Sequence, residues 1–260
     1  MIRPGLCSVT FRGLDVPSVV SHAAAAGLEC IEWAGDAHVP PGDEAAARQA
    51  RELTEQAGLA VASYGSYLRF DGPDEEIRAE GEAVLVAARA LAAPRIRIWA
   101  GRTGSAEVPA ADRARIVDRI REFADRAAAS GIDVGLEFHG RTLTDEIGST
   151  LRLLGEVDRP AVSSYWQPHQ DMPAAEALDT LRQVLPRVSS IHVFSWWPTN
   201  RRHPLSERAE LWREAFRILV EHGGDRDALL EFVPEDDPDL LRREADTLRR
   251  LIAAGEEAAR

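Results

Sequence analysis

Short apolar runs alternate with longer amphipathic segments along the whole chain of 260 residues. The runs have the two-residue period of β-strands, and the longer segments have the three-to-four-residue period of helices. The predicted strands cover Gly5–Phe11, Cys30–Trp33, Ala60–Tyr64, Arg95–Trp99, Val134–Phe138, Val162–Trp166, Ser189–Phe194 and Leu229–Val233. The predicted helices cover Pro17–Ala26, Asp43–Ala57, Pro73–Leu91, Pro109–Ala129, Leu143–Glu156, Ala174–Leu185, Leu205–His222 and Asp239–Ala254.

Eight strand–helix pairs of roughly 32 residues each have the unit size of a (β/α)8 barrel. A doubly wound sheet is the alternative, but the end of the first strand (CSVTFRG, residues 7–13) lacks the glycine-rich dinucleotide-binding pattern. No linker or low-complexity run divides the chain. We therefore predict an α/β protein with a single TIM-barrel domain over residues 1–260.

The charge balance excludes several classes of function. The chain has 43 acidic residues against 31 basic ones, which gives a net charge of −12. Because phosphate backbones bind to basic surfaces, this balance argues against a nucleic-acid partner. All the basic residues are arginines, since the sequence contains no lysine. Enzymes that hold a substrate or pyridoxal phosphate as a lysine Schiff base are therefore excluded.

The sequence also indicates a compartment. The first residues do not have the pattern of a signal peptide, and no apolar run is long enough to cross a bilayer. Cys7 and Cys30 lie in apolar segments and are expected to be buried free thiols, as in a reducing environment. We expect a cytoplasmic protein without membrane contact.

Polar side chains stand at the ends of the last four predicted strands. Glu137, in IDVGLEFHGR, alternates with apolar neighbours, and an unpaired carboxylate is too costly to bury as a packing residue. The later strands carry Gln167 in SSYWQPH, His192 in SSIHVFSW and Glu231 in ALLEFVPEDD. Because the active site of a TIM barrel lies at the C-terminal ends of its strands, we expect these four side chains to form one site.

Oxygen and imidazole donors from adjacent strands suit one divalent metal ion, Mn²⁺, Mg²⁺, Co²⁺ or Zn²⁺. The absence of nearby cysteine disfavours a purely structural zinc. The two carboxylates, Glu137 and Glu231, could also exchange a proton with a carbon next to a carbonyl. A metal would then polarise the adjoining oxygens and stabilise the enediolate.

Structural roles stay open for the same residues. The two glutamates could form an inward ion pair with Arg97 or Arg95, His192 could be a core histidine, and Gln167 could bond to backbone. For Glu32 and Arg97 we favour a buried salt bridge over catalysis. Aromatic residues at the ends of the first four strands, among them Tyr64 and Trp99, predict an aromatic wall facing the metal side, as in carbohydrate-binding sites. Trp196, past the seventh strand, is a further predicted substrate-binding residue.

The motifs GLEFHG, SIHVFSW and LLEFVP, taken with their spacing, resemble the xylose-isomerase-like TIM-barrel superfamily over the whole chain. The resemblance is to its sugar phosphate isomerase/epimerase branch, which includes the tagatose/psicose 3-epimerases, hydroxypyruvate isomerase and inosose dehydratase. In those relatives Glu, Asp, His and Glu from strands five to eight bind the metal, and the two glutamates transfer the proton. The resemblance implies these roles for Glu137, His192 and Glu231.

The sixth-strand position departs from that pattern. Where the family usually has Asp followed three residues later by His, this chain has Gln167 and then Gln170. Gln167 can still offer a carbonyl oxygen, and His169 could replace the family histidine from a shifted position. Past the seventh strand the relatives carry a cation that holds a substrate oxygen. Arg201, Arg202 or His203 could take this role here, and we favour Arg202.

Two other branches of the superfamily do not fit. Endonuclease IV needs histidines at the ends of strands two and three and a basic surface, and true xylose isomerases are longer and use a lysine. The leading hypothesis is a metal-dependent isomerase or epimerase acting on a small, unphosphorylated keto sugar or cyclitol. The first alternative is a lyase or dehydratase acting on a keto sugar, keto-glycoside or inosose, in which His139, His169 or Arg202 protonates the leaving group.

A second alternative is a non-catalytic sugar-binding barrel, which the presence of Gln167 in place of aspartate would favour. A homo-oligomer also stays open. Trp212 and Phe216 of the seventh predicted helix could lie in the core or in an interface, and we favour the core.

Overall fold

Eight parallel strands close into a barrel in the computed structural model, which describes residues 1–260. The strands are β1 (Ile2–Cys7), β2 (Cys30–Ala34), β3 (Ala60–Gly65), β4 (Arg95–Ile98), β5 (Asp133–Glu137), β6 (Val162–Trp166), β7 (Val188–Val193) and β8 (Arg226–Leu230). The helices are α1 (Val16–Ala25), α2 (Glu44–Gln56), α3 (Asp74–Ala90), α4 (Ala110–Ala128), α5 (Ile147–Val157), α6 (Ala174–Val184), α7 (Ala209–His222) and α8 (Leu241–Ala258).

Each strand pairs with the next one along the chain, and β8 returns to pair with β1. Ile2 lies opposite Arg226 and Leu6 opposite Leu230, so the sheet has no free edge. The predicted single (β/α)8 barrel is confirmed. None of its helices is both long enough and apolar enough to span a membrane.

The main hydrophobic core lies between the strands and the surrounding helices. It contains 64 buried residues, so it is one continuous layer rather than separate patches. Trp33 and Trp166 are fully buried there, and their indole N–H groups donate to Thr54 of α2 and Thr180 of α6. Trp212 of α7 is buried against the same layer, so it is a core residue.

Two strands, β1 and β8, end earlier than the sequence predicted. β1 stops at Cys7, and residues 8–11 form a 3-10 turn because the Ser8 hydroxyl accepts from the Ala34 amide at 2.8 Å. β8 ends at Leu230, so Glu231 stands just past the strand with its amide bonded to the Val193 carbonyl at 3.1 Å. Both changes move the chain into loops at the mouth of the barrel.

The two cysteines are buried free thiols, as the sequence predicted. Cys7 lies in the barrel with its Sγ 3.8 Å from a carboxylate oxygen of Glu32. Burial raises the pKa of the Cys7 thiol, and the neighbouring Glu32 carboxylate raises it further. Cys7 is therefore a protonated, unreactive thiol at neutral pH.

Candidate metal centre and active site

Four side chains from consecutive strands converge at the C-terminal mouth of the barrel. Glu137 ends β5, Gln167 directly follows β6, His192 lies in β7 and Glu231 directly follows β8. His192 Nδ1 is 3.8 Å from Glu137 Oε1, 3.7 Å from Glu231 Oε2 and 3.1 Å from Gln167 Oε1. All four residues are buried. The structure therefore brings together the four residues that the sequence placed in one site.

This donor set fits a divalent metal ion. Ligating atoms about 2.1 Å from an ion lie roughly 3 to 3.5 Å apart, and the distances between His192 and the other donors are close to that range. Donor atoms of Glu137, His192 and Glu231 all lie within 4.8 Å of one another. The four donors are nitrogen and oxygen atoms, which suit Mn²⁺, Mg²⁺, Co²⁺ or Zn²⁺ alike. A cysteine is nearby after all, because donor atoms of Cys7, Glu32 and His192 also lie within 4.8 Å of one another.

Gln167 connects two of the other donors instead of bonding to backbone. Its amide nitrogen donates to Glu137 Oε1 at 3.0 Å, and its carbonyl oxygen lies at hydrogen-bond distance from His192 Nδ1. The carbonyl oxygen therefore already points towards the position where a metal would contact Nδ1. An amide oxygen is a weaker metal ligand than a carboxylate because it carries no formal charge.

A buried arginine contacts the Glu137 oxygen that Gln167 does not. Arg97 of β4 donates through Nε to Glu32 Oε1 at 3.1 Å and through Nη1 to Glu137 Oε2. Glu137 Oε2 also accepts the indole N–H of Trp99. Burial raises the pKa of Glu137, but Arg97, His139 and His192 together outweigh it and the net pKa is lowered. The favoured Glu32–Arg97 salt bridge is present, and it extends to Glu137.

The second ring nitrogen of His192 faces Glu32. Nε2 is 3.4 Å from Glu32 Oε1, and the other Glu32 oxygen accepts the Ser63 hydroxyl at 2.6 Å. Burial lowers the pKa of His192, but the carboxylates of Glu231 and Glu32 raise it to about 9. Burial raises the pKa of Glu231, and His192 offsets part of that rise. In the metal-free protein His192 is thus an imidazolium held among carboxylates.

Two glycines make room for this arrangement inside the barrel. A Cβ at Gly135 would lie 2.1 Å from Cε2 of Tyr165, whose ring packs edge-on against His192 with centroids 5.6 Å apart. A Cβ at Gly65 would lie 2.9 Å from Arg97 Nη2 and 3.0 Å from Glu32 Oε1. Gly65 therefore leaves room for the Arg97–Glu32 pair, and Gly135 for the Tyr165 ring that packs on His192.

Some of the predicted substrate-binding residues surround the mouth. His139 stacks on Trp99 with ring centroids 4.2 Å apart. Trp196 packs against Phe232 at 5.0 Å, and the Arg202 guanidinium lies 3.9 Å from the centre of the same Phe232 ring. These residues come from the loops after β4, β5, β7 and β8, so they line the entrance to the centre.

Tyr64 and His169 lie elsewhere. Tyr64 is fully buried in the hydrophobic core, and its hydroxyl donates to the Val39 carbonyl at 2.8 Å, so it does not fit the predicted substrate-binding role. His169 stacks on Phe138 with centroids 4.6 Å apart, and its Nε2 is 2.6 Å from the Asp145 carbonyl oxygen. With these partners, His169 takes no part in the cluster of donors.

Sequence reasoning missed two residues at the mouth. Arg69, in the loop after β3, lies with its guanidinium 3.9 Å from the centre of the Trp99 ring. Phe232 has a φ of 58°, which a bulky side chain rarely adopts, and its amide donates to Thr10 Oγ1 at 2.9 Å. This turn fixes the chain directly after Glu231. The only sequence signal for Arg69 and Phe232 is that each follows the C-terminal end of a strand.

Comparisons with known proteins agree with this architecture. A family model described as xylose isomerase-like TIM barrel matches residues 20–251. A 3-dehydroshikimate dehydratase of Bacillus anthracis is 29% identical over 204 residues, which cover 74% of this chain and 71% of that protein. The crystal structure of the probable 3-DHS dehydratase AsbF from Bacillus anthracis matches with a TM-score of 0.79 at 24% identity, covering 96% of this chain and 99% of that one.

Two further solved structures share the fold at lower identity. A xylose isomerase-like TIM-barrel protein from Mycobacterium smegmatis, in complex with magnesium, has a TM-score of 0.75 at 17% identity and covers 99% of this chain and 98% of that one. An L-ribulose 3-epimerase has a TM-score of 0.71 at 18% identity and covers 100% of this chain and 96% of that one. These similar proteins thus include a dehydratase, a probable dehydratase and an epimerase.

Proposed function

Since this chain belongs to the xylose isomerase-like TIM-barrel family, we propose that it is a divalent-metal-dependent lyase that removes water from a small β-hydroxy ketone. The 29% identity to a 3-dehydroshikimate dehydratase supports elimination as the reaction class. The family also contains epimerases, which begin with the same abstraction of a proton next to a carbonyl. The choice between the two classes depends on whether Glu137 can exchange a proton as well as Glu231.

The observation that carries the proposal is the set of donors around Glu137. Its two oxygens accept from Arg97, Trp99 and Gln167. Burial raises its pKa, but Arg97 and the two nearby histidines together lower it by more, so the net pKa is lowered. A carboxylate held by three donors is a good anionic ligand but a poor proton carrier. An epimerase of the two-base type needs both glutamates to exchange protons, whereas a lyase needs only one.

Glu231 is better suited to accept the proton. Its side chain is 12% exposed, against 3% for Glu137, so it is the more open of the two carboxylates. Burial raises its pKa, which strengthens it as a base. Its Oε2 faces His192, and its Oε1 has no hydrogen-bond partner within the protein. That free oxygen is in position to receive a proton from a substrate carbon.

His139 is the residue best placed to protonate the leaving hydroxyl. Its Nδ1 lies 2.7 Å from the Gly140 carbonyl oxygen, which assigns the proton to Nδ1 and leaves Nε2 for the substrate. Its ring stacks on Trp99, and Trp99 donates to Glu137, so the imidazole is held beside the centre. When protonated on both nitrogens, His139 can deliver the Nε2 proton.

The proposed step balances as an elimination. The C–H bond next to the carbonyl breaks and its proton passes to Glu231. The C–O bond at the next carbon breaks, and the hydroxyl leaves as water with a proton from His139. A carbon–carbon double bond forms. A divalent ion held by Glu137, Gln167, His192 and Glu231 would polarise the substrate carbonyl and make the C–H bond more acidic.

The test is turnover by protein reconstituted with Mn²⁺ after chelation, against a panel of β-hydroxy ketones that includes 3-dehydroshikimate. The conjugated or aromatic product of elimination is followed by its ultraviolet absorbance. Glu231→Gln should lose at least about 1000-fold in kcat at saturating Mn²⁺, since it loses the base, and its Mn²⁺ affinity should fall as well because one charged ligand is lost. Glu210→Gln, an exposed residue of α7, is the matched control. Proton exchange with solvent without release of water would overturn the proposal.

A metal-dependent epimerase remains the second candidate. The observation in its favour is the symmetrical placement of Glu137 and Glu231, with oxygens 3.8 Å and 3.7 Å from His192 Nδ1. Ketoses incubated with the metal-loaded protein in deuterium oxide separate the two functions. An epimerase gives a deuterated epimer at the carbon next to the carbonyl, whereas the proposed lyase gives an unsaturated product.

A further inference from the structure

Arginines surround the mouth of the barrel, although the chain as a whole is acidic. They follow β1, β3, β4, β5 and β7 and are Arg12, Arg69, Arg102, Arg141, Arg201 and Arg202. Three of them are neutralised by a carboxylate, because Arg12 pairs with Asp36, Arg102 with Asp71 and Arg202 with Asp236. Arg69, Arg141 and Arg201 have no carboxylate within 4.0 Å. Arg141 and Arg201 are exposed, so Arg69 is the unpaired arginine that is held against the site.

Arg69 is held in place with one edge unoccupied. Its Nη1 donates to the Gly101 carbonyl at 3.0 Å, and its guanidinium lies 3.9 Å from the centre of the Trp99 ring. Its Nε and Nη2 have no hydrogen-bond partner in the protein and are not sealed from solvent. These two N–H groups form the edge of a guanidinium that binds both oxygens of a carboxylate.

Trp99 connects this edge to the metal centre. Its indole N–H donates to Glu137, its ring carries Arg69, and His139 stacks on it with centroids 4.2 Å apart. Two groups this close to one ring centre cannot share a face, so Arg69 and His139 lie on opposite faces. A single indole therefore holds Arg69 beside the candidate ligand Glu137.

We propose that Arg69 binds a carboxylate of the substrate, which makes the substrate a hydroxy keto acid rather than a neutral sugar. This inference rests on the proposed function, because the carbonyl end of the substrate is placed at the metal centre. A planar carboxylate matches the single free guanidinium edge. A phosphate would call for more donors, such as a nest of backbone amides. Arg141 is exposed and adds attraction without a fixed contact.

The experiment measures binding of two probes of equal size to the Mn²⁺-loaded protein by calorimetry. 3,4-Dihydroxybenzoate and its neutral counterpart 3,4-dihydroxybenzamide offer the same two oxygens to a metal, but only the first offers a carboxylate. The wild-type protein should bind the benzoate about 10- to 100-fold more tightly than the benzamide. Arg69→Gln should remove this preference and leave the benzamide affinity within about threefold of wild type.

Arg102→Gln is the matched control, since it removes an arginine of the same mouth that Asp71 already neutralises. It should keep the preference for the benzoate. Equal affinity of both probes for the wild-type protein, or a preference that survives Arg69→Gln, would overturn the inference while leaving the proposed function intact. If neither probe binds, the metal centre itself is wrong and both proposals fall.

Discussion

Gln167 holds two of the other candidate ligands, because its amide group contacts Glu137 through one atom and His192 through the other. Gln167 offers the metal an uncharged oxygen, whereas a carboxylate at this position would offer an oxygen and a negative charge. Replacing Gln167 should therefore change the metal affinity, which can be measured without knowing the substrate.

We predict that Gln167→Asp raises the affinity for Mn²⁺ by about tenfold or more, since affinity grows with the number of charged ligands. Calorimetric titration of chelated protein measures it. Gln170→Asp places the same charge three residues along the loop and serves as the control. If both variants gain affinity equally, the effect is general attraction of the cation and Gln167 is not a ligand.

Glu32 acts on the centre through His192. A carboxylate beside the remote nitrogen of a metal-binding imidazole fixes its tautomer and orientation, and such partners commonly contribute 10- to 100-fold in metal affinity. We predict a loss of about this size in Glu32→Gln. Circular dichroism checks the fold, and Glu29→Gln, an exposed glutamate just before β2, is the control. Unchanged affinity in Glu32→Gln would show that Glu32 serves only the salt bridge with Arg97.

At the scale of the element, β5 carries both a candidate ligand, Glu137, and a glycine that leaves room for a neighbouring side chain. Glu137 ends the strand, and Gly135 lies two residues earlier on the same side, where it admits the ring of Tyr165. The sequence alone predicted the strand and its glutamate from the alternation of apolar residues. It did not predict the packing of Tyr165 on Gly135, because that contact joins two strands whose relative register is set only in the folded barrel.

We predict that Gly135→Ala destabilises the protein by about 1–3 kcal/mol, because the added methyl overlaps the Tyr165 ring. Denaturant unfolding of the metal-free protein measures it. Gly155→Ala is the matched control, since that glycine is exposed in α5 with nothing within 4 Å of a Cβ. The control should be neutral or gain up to about 1 kcal/mol from helix propensity. A neutral Gly135→Ala would mean that Tyr165 can move aside at no cost.

Elements could be predicted more fully than side-chain partners. The eight strands and eight helices follow from apolar periodicity, and the four candidate ligands from polar residues at strand ends. Arg69 was out of reach, and the ion pair of Arg97 with Glu137 was only one open alternative, because an arginine spans several ångströms and its partner is chosen by geometry between strands. Tyr64 is a residue that the sequence placed at the mouth and the structure buries in the core. A shift of one residue at a strand end is enough to move an aromatic ring from one to the other.

At the scale of the whole molecule, the candidate ligands come from four adjacent strands, β5 to β8, so a metal bound there stabilises the folded barrel as a unit. The raised pKa of His192 couples this effect to pH. Imidazolium at His192 stabilises the metal-free fold below about pH 6.5, and this contribution is lost as the pH rises through about 9. A metal needs the neutral ring and must displace the proton.

We therefore predict that the rise in melting temperature on adding Mn²⁺ grows as the pH increases from about 6.5 towards 9, with affinity rising up to about tenfold for each pH unit. Thermal denaturation with and without metal across this range measures it. His222→Gln, an exposed histidine at the end of α7, should leave the profile unchanged. A metal effect that is constant with pH would mean that His192 is already neutral in the metal-free protein.

The charge of the buried Arg97 counts toward the net charge of the centre. When ionised, Glu32, Glu137 and Glu231 carry three negative charges and Arg97 carries one positive charge, so these four residues have a net charge of −2. With a neutral His192, a divalent ion supplies the missing charge, and the amide of Gln167 adds nothing. An aspartate at that position would leave the loaded centre with an excess negative charge in a low-dielectric site. The glutamine thus leaves a centre that an anionic substrate can approach without repulsion.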